Sequence, residues 1–161
     1  MIHVRPAFAL DTDSMARLLN AIIDQGGSTA ITNPVTGQDL KNWMQSDDGR
    51  TAWHVAVNAS EDVVGFQWIS AADYLPQEAA EIATFVQIGQ TGLGIGSKLF
   101  EATRKAAKSL GFRWINANIR ADNEGGLIYY QSRGFQDYGR ISDYEMSNGQ
   151  RVDKILKRFD L

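Results

Sequence analysis

The stretch from Glu81 to Phe100, EIATFVQIGQTGLGIGSKLF, constrains this chain more than any other. A β-rich run over about 80–87 leads through Gly92, Gly94 and Gly96 into an amphipathic helix of about 94–109, with Ile95, Leu99, Phe100, Ala106 and Leu110 as its apolar residues. Glycines in this arrangement let the backbone turn sharply and bring its N–H groups against an anion with no Cβ in the way. The unpaired N–H groups of a helix start, together with the helix dipole, make a phosphate site. Ser97 and Lys98 can add a hydroxyl and a charge to it. The loop therefore points to a pyrophosphate, although a glycine-rich turn without a ligand shares the pattern. The dinucleotide spacing GxGxxG does not fit, because its third glycine falls on Ser97, and the GKS or GKT of a P-loop is absent.

The rest of the chain alternates strand-like and helical runs. Ile2–Arg5 predicts a short strand ending before Pro6. Asp11 to Ser14 offers N-cap chemistry for a helix of about 12–24 with Met15, Leu18, Leu19, Ile22 and Ile23 on one face. Thr36 can cap a second helix carrying Leu40, Trp43 and Met44. Ala52–Val57 and Val63–Ser70 read as a hairpin, Trp114–Ile119 as a strand, Gly125–Ser132 as a helix, and Phe135–Tyr138 and Val152–Phe159 as the last strands. The order βααβββαβαββ predicts an α/β chain, a mixed sheet with helices on both faces. Its 161 residues fit one domain, 1–161.

Composition narrows the chemistry. The chain has no cysteine, which excludes disulfides, thiolate zinc sites and a Cys nucleophile. A net charge of -3 gives no electrostatic case for nucleic acid or an anionic membrane. No apolar stretch approaches the roughly 20 residues that span a bilayer, and the opening MIHVRPAFALDTDS holds no run of signal-peptide type. A cytoplasmic location is the default expectation.

A second motif, Asn123-EGGLIYYQSRGF-135, lies downstream. Asn123 and Tyr130 are two helical turns apart, which puts them on one face, and Gly134 ends the helix before Phe135 opens a strand. Read alone, Asn123 can be a simple N-cap and Tyr130 a core aromatic, the role expected of Tyr129.

Together the two motifs resemble the GNAT superfamily of N-acetyltransferases. The loop is similar to the family's acetyl-CoA pyrophosphate loop, Q/R-x-x-G-x-G/A, with Gly94 and Gly96 as its two small residues. It departs at Thr91, where the pattern has Gln or Arg (Gln90 is adjacent), and at Ile88, where a proline is usual. The family's second motif has Asn, then Tyr seven later, then Gly-Phe, as here without a gap. The resemblance implies a GNAT-like, largely antiparallel central sheet flanked by helices. It implies acetyl-CoA as co-substrate, no metal, and direct transfer with no covalent enzyme intermediate. Thr91, Gly92, Leu93, Gly94, Ile95 and Gly96 would surround the pyrophosphate. The backbone near Phe85, Val86 and Gln87 would pair with pantetheine, and Asn123 would hydrogen-bond the CoA arm. Tyr130 would protonate the departing thiolate, worth roughly 10²–10⁴-fold.

The attacking amine must be neutral, since an ammonium of pKa about 10 has no lone pair to offer. Glu81 begins the strand before the glycine loop and is the leading candidate for the base. A water chain or the plain role of a solvated strand-end acid are the alternatives, and Glu78 is a weaker competitor. His54 lies in an alternating strand and reads as structural. In phosphinothricin-type acetyltransferases a Glu stands at this place in E-I-x-x-x-V, here Glu81-IATFV. The resemblance to that subgroup extends to Val4-Arg5-Pro6-Ala7, Leu19 to Ile23, Ser28 to Ala30 with Pro34 and Thr36, and Gly149 to Asp153. It implies a small amino-acid-like acceptor, with Trp53, Trp68 and Tyr74 as pocket aromatics or core. A peptide or protein acceptor, a non-catalytic acyl-CoA sensor and a nucleotide-binding protein are the competing readings. By analogy with the family, a homodimer could form on an exposed edge strand near 152–159.

Overall fold

The computed structural model describes residues 1–45, 49–90 and 94–161. Strands β1 (His3–Pro6), β2 (Ala52–Val57), β3 (Val63–Ser70), β4 (Ala79–Val86), β5 (Trp114–Arg120), β6 (Gln136–Glu145) and β7 (Arg151–Asp160) form one sheet. Its order is β1-β2-β3-β4-β5-β7-β6. Every neighbouring pair is antiparallel except β4 and β5. Helices α1 (Thr12–Gln25) and α2 (Gly37–Met44) cover one face, and α3 (Ile95–Ser109) and α4 (Glu124–Ser132) cover the other.

Periodicity explains the layers. Met15, Leu18, Leu19 and Ile22 recur at helical spacing on α1 and are buried with Leu40 of α2 against Trp53, Val55, Phe66 and Phe85. The strand residues of the other parity, including Ile69, Ile82, Ile115 and Ile119, pack with Phe100 and Phe135 on the α3–α4 side. Full burial of side chains such as Leu19 and Leu40 contributes about 1.5–3 kcal/mol each.

Local signals acted partly as expected. Thr36 caps α2, its hydroxyl accepting from the Asp39 N–H at 3.1 Å while the Asp39 carboxylate accepts from Thr36 N–H at 2.9 Å. Asp11 does not cap α1 through its side chain. A 3₁₀ turn, Ala9–Asp11, precedes that helix, and the Asp11 carboxylate takes both Arg5 guanidinium N–H groups (2.8 and 2.9 Å) and the Phe8 N–H. The Arg5 guanidinium holds the Asp11 carboxyl below the usual carboxylate range.

The C-terminal strands differ most from expectation. β6 runs for ten residues rather than four, and β7, expected at an edge, is interior with β5 on one side and β6 on the other. The edge is β6. It lies largely exposed, so it lacks the apolar alternation that marks a strand. Cross-strand charge pairs to β7 (Arg140–Asp153, Lys157–Asp137, Arg151–Asp143) accompany its pairing.

Candidate active site

The parallel pairing of β4 with β5 covers only Ala79–Trp114, Ala80–Ile115 and Glu81–Asn116. Beyond it the strands diverge, and a cavity of about 1220 Å³ opens there. Its wall runs from Ser28–Ile31 after α1, along β4, past the start of α3 to Asn118–Arg120 and α4. An open depression of about 350 Å³ lies apart from it, lined by Ala121, Asp122 and the turn into β7.

Among the described residues the diverging edge of β4 has no strand partner beyond Glu81. Gln87 N–H donates to Val64 C=O at 2.9 Å, toward β3. By strand alternation Phe85 faces β3 too, so the backbone groups turned toward the gap belong to Val86, Thr84 and Ile82. The Gln87 N–H, like the Phe85 backbone, is thus turned toward β3 and away from the gap. The Gln87 C=O accepts from Gln90, and its side chain is not on the wall. Phe85 and Val86 do line the cavity, as do Gly94, Ile95, Gly96 and Asn123. Thr91, Gly92 and Leu93 lie outside the described residues.

The two described loop glycines serve different needs. Gly94, the N-cap of α3, adopts φ +78°, a left-handed conformation, with no described atom within 4 Å of where a Cβ would stand. At Gly96 an added Cβ would lie 2.6 Å from Cε1 of Tyr129. That ring is held, because its hydroxyl donates to Gly96 C=O at 2.7 Å and accepts from Gln67 Nε2 at 3.1 Å. Gly96 therefore makes room for Tyr129, a constraint that the phosphate-loop reading did not contain. Gly96→Ala is expected to destabilise the fold by about 1–3 kcal/mol through overpacking, seen as a lower midpoint in chemical denaturation. An unchanged midpoint would mean that the Tyr129 ring swings clear. Ser97 reaches the cavity wall, whereas Lys98 turns away and its Nζ donates to Ile2 C=O at 3.2 Å.

Tyr130 is buried at the cavity wall between Tyr129 and Phe135. Its hydroxyl meets Thr84 Oγ1 at 2.7 Å, and Gln67 Nε2 donates to the same Thr84 oxygen at 2.8 Å. Burial pushes the Tyr130 phenol well above its ordinary range and the Tyr129 phenol up to about 12. Asn123 is the N-cap of α4. Its Oδ1 accepts from Gly126 N–H at 3.0 Å, and its Nδ2 donates to Ser28 C=O at 2.9 Å. Arg120 Nη1 holds the next carbonyl, Thr29, at 3.1 Å, so β5 and α4 together pin the loop after α1 over the cavity.

Glu81 faces the other side of the sheet, with Ala83 and Phe85 on the α1–α2 side. α1 and α2 cover β2 to β4 there, and on the same face Asn116, Arg120 and Lys154 of β5 and β7 are buried as well. The Tyr74 hydroxyl donates to Glu81 Oε1, and Asn116 Nδ2 reaches the same oxygen at 3.4 Å. Asn116 and Asn118 both donate to the Tyr74 oxygen, at 2.9 and 3.1 Å, and Tyr138 donates to Asn116 Oδ1. Burial raises the Glu81 carboxyl above its ordinary value, against the opposing pull of the Tyr74 and Asn116 hydrogen bonds and the Lys154 charge. Sequence reasoning missed Asn116, Asn118 and Tyr138. It took Tyr74 only as a possible pocket aromatic, with no link to Glu81.

Trp53 and Trp68 stack at 4.0 Å, with Trp68 at the cavity wall and Trp53 in the core. His54 is half-buried in β2 and Glu78 is exposed; neither lines the cavity. Among the described residues no cluster of acids and histidines could hold a metal, and no helix is long and apolar enough to cross a membrane.

Comparison with known proteins gives a consistent picture. A family model described as "Acetyltransferase (GNAT) family" matches residues 16–135. The YwnH protein of Bacillus subtilis (strain 168), provisionally named a phosphinothricin acetyltransferase, is 28% identical over 153 residues, covering 92% of this chain and 93% of its own. A phosphinothricin N-acetyltransferase of Streptomyces coelicolor is 27% identical over 157 residues, covering 94% and 92%. The crystal structure of a GNAT superfamily phosphinothricin acetyltransferase from Sinorhizobium meliloti, in complex with acetyl-CoA, superposes with a TM-score of 0.86 at 20% identity, covering 99% of this chain and 88% of that one.

Proposed function

The chain belongs to the acetyltransferase (GNAT) family, and from that premise we propose that it moves the acetyl group of acetyl-CoA directly onto the primary amine of a small, amino-acid-like acceptor. One observation carries this reading. The gap between β4 and β5 joins the glycine-flanked start of α3 on one face of the sheet to the Glu81 carboxyl on the other, with Tyr130 on its wall. A thioester lying in that gap has its pyrophosphate at a helix N-terminus and its carbonyl beside the free backbone edge of β4. Relatives named for phosphinothricin acetylation and a neighbour solved with acetyl-CoA support the choice of donor and acceptor.

In this mechanism the neutral amine attacks the thioester carbonyl, a C–N bond forms, and its surplus proton passes to Glu81. The tetrahedral intermediate then expels the CoA thiolate, the C–S bond breaks, and Tyr130 gives the sulfur a proton; solvent takes the proton from Glu81 and returns one to Tyr130 before the next turnover. Gln67 prepares that phenol. It donates to Thr84 Oγ1, and when the threonine hydroxyl in turn donates to the Tyr130 oxygen the phenol proton is turned toward the cavity.

The test is a thiol-release assay with acetyl-CoA over phosphinothricin, methionine sulfoximine, ordinary amino acids, polyamines, aminoglycosides and peptides. Turnover of one amino-acid-like class is expected. Turnover of peptides alone would move the acceptor to a protein, and CoA binding without turnover would make the chain an acyl-CoA sensor.

A further inference from the structure

Among the described residues Lys154 is a buried cation with no hydrogen bond and no ion pair. It lies on β7 directly opposite Arg120, and alternation places it on the same face as Asn116, Asn118 and Glu81. It is only 8% exposed, yet it lines the cavity. Its ammonium lies over the face of Tyr144, 3.6 Å from Nζ to the ring centre. Nearby charges are already engaged. Arg120 grips Asp122 with two N–H groups, at 2.9 and 2.7 Å, and Asp153 pairs with Arg140. Glu81 attracts Lys154 through space but spends Oε1 on Tyr74 and Asn116. A buried, unpaired ammonium is costly to hold, and a fold keeps one where a ligand supplies the anion. A second orphan stands beside it: Asn118 Oδ1 is buried, unpaired and on the same wall, an acceptor waiting for a donor.

We propose that Lys154 is the anchor for a carboxylate on the acceptor, so that the substrate is a free α-amino acid whose carboxylate meets Lys154 while its amino group lies between Glu81 and Asn118 Oδ1. The inference rests on the small-acceptor reading above and sharpens it. The orphan cation and orphan acceptor match the two ends of one zwitterion, and the Tyr144 ring stabilises the ammonium until the carboxylate arrives. A polyamine offers no anion here, and an amino acid blocked as its carboxamide loses the charge-assisted contact.

The experiment measures initial rates with L-methionine sulfoximine and with its α-carboxamide, for the wild type and for Lys154→Met, which keeps the apolar stem. The wild type is expected to favour the acid over the amide by about 30-fold in kcat/KM, the scale of a lost hydrogen bond to a charged group. In Lys154→Met the KM for the acid rises by a similar factor with little change in kcat, and the acid-over-amide preference falls to near parity. An unchanged KM for acetyl-CoA and an unchanged melting midpoint show that the variant is folded. The proposal is overturned if Lys154→Met keeps the wild-type preference, or if the wild type uses the amide as readily as the acid. Turnover of neither compound, with peptides or polyamines acetylated instead, overturns the amino-acid reading and this inference with it. Turnover that ignores Lys154 overturns the inference alone.

Discussion

Glu81→Gln lowers kcat at neutral pH by about 10²–10³-fold, the usual scale for losing a placed general base, and removes the acid-side limb of the pH–rate profile. The substitution is close to isosteric. The amide that replaces the carboxylate keeps an oxygen to accept from Tyr74 and Asn116, so the loss isolates the proton-accepting role from the scaffold that holds the side chain. In the wild type the base works only when ionised, and burial raises its pKa above the ordinary carboxylate value. The rate therefore climbs as pH rises through that raised value. In the Glu81→Gln variant this dependence disappears, and the slope that is left is the amine's own ionisation, near pH 10 for an unperturbed amine. Tyr74→Phe supplies a signed control. The Tyr74 hydrogen bond favours the ionised carboxylate, so removing it while keeping the ring shifts the limb to higher pH. A Glu81→Gln profile that overlays the wild type would assign the proton to water and leave Glu81 as a strand-end acid.

What was legible in the sequence was local. Strand β4 and helix α3 lie in one continuous stretch, 79–109, and the Asn-to-Phe motif spans thirteen residues, so short connections keep each motif together. The hairpin of β2 and β3 and the Thr36 cap were legible for the same reason. What depended on register was not. Glu81, Asn116, Asn118 and Lys154 meet because the three-residue pairing of β4 with β5, and the antiparallel pairing of β5 with β7, set them on one face. In the sequence a lysine in an alternating strand looks like any solvated charge, and a pair of asparagines like strand-end polarity. Tyr74 sits on a loop, where nothing in its neighbourhood announces that its hydroxyl will reach a carboxylate seven residues away. β6 failed for the opposite reason. Solvent on most of its length removes the apolar period by which strands are read, although its ladder to β7 is extensive. Gly96 shows a subtler loss: a motif can name the right residue and miss a reason for it, because Tyr129 approaches from a helix 33 residues on.

Tyr130→Phe tests the other half of the chemistry. The variant keeps the ring that packs on Phe135 and Tyr129 and removes only the hydroxyl at Thr84. If the phenol protonates the thiolate, kcat falls by about 10²–10⁴-fold while acetyl-CoA affinity changes by less than about threefold, since the hydroxyl acts on charge that develops only as the C–S bond breaks. A second substrate separates this role from packing. A thioester whose leaving thiol has a much lower pKa needs no proton, so with it the variant should recover most of the wild-type rate. Tyr129→Phe is the matched comparison. It also deletes a partly buried hydroxyl, but one that donates to Gly96 C=O and so belongs to the start of α3. Its expected effect is on stability and on acetyl-CoA affinity, with no rescue by the better leaving group. Equal losses in both variants, neither relieved by the activated thioester, would make the two tyrosines structural partners of the same network and leave the thiolate to depart unaided.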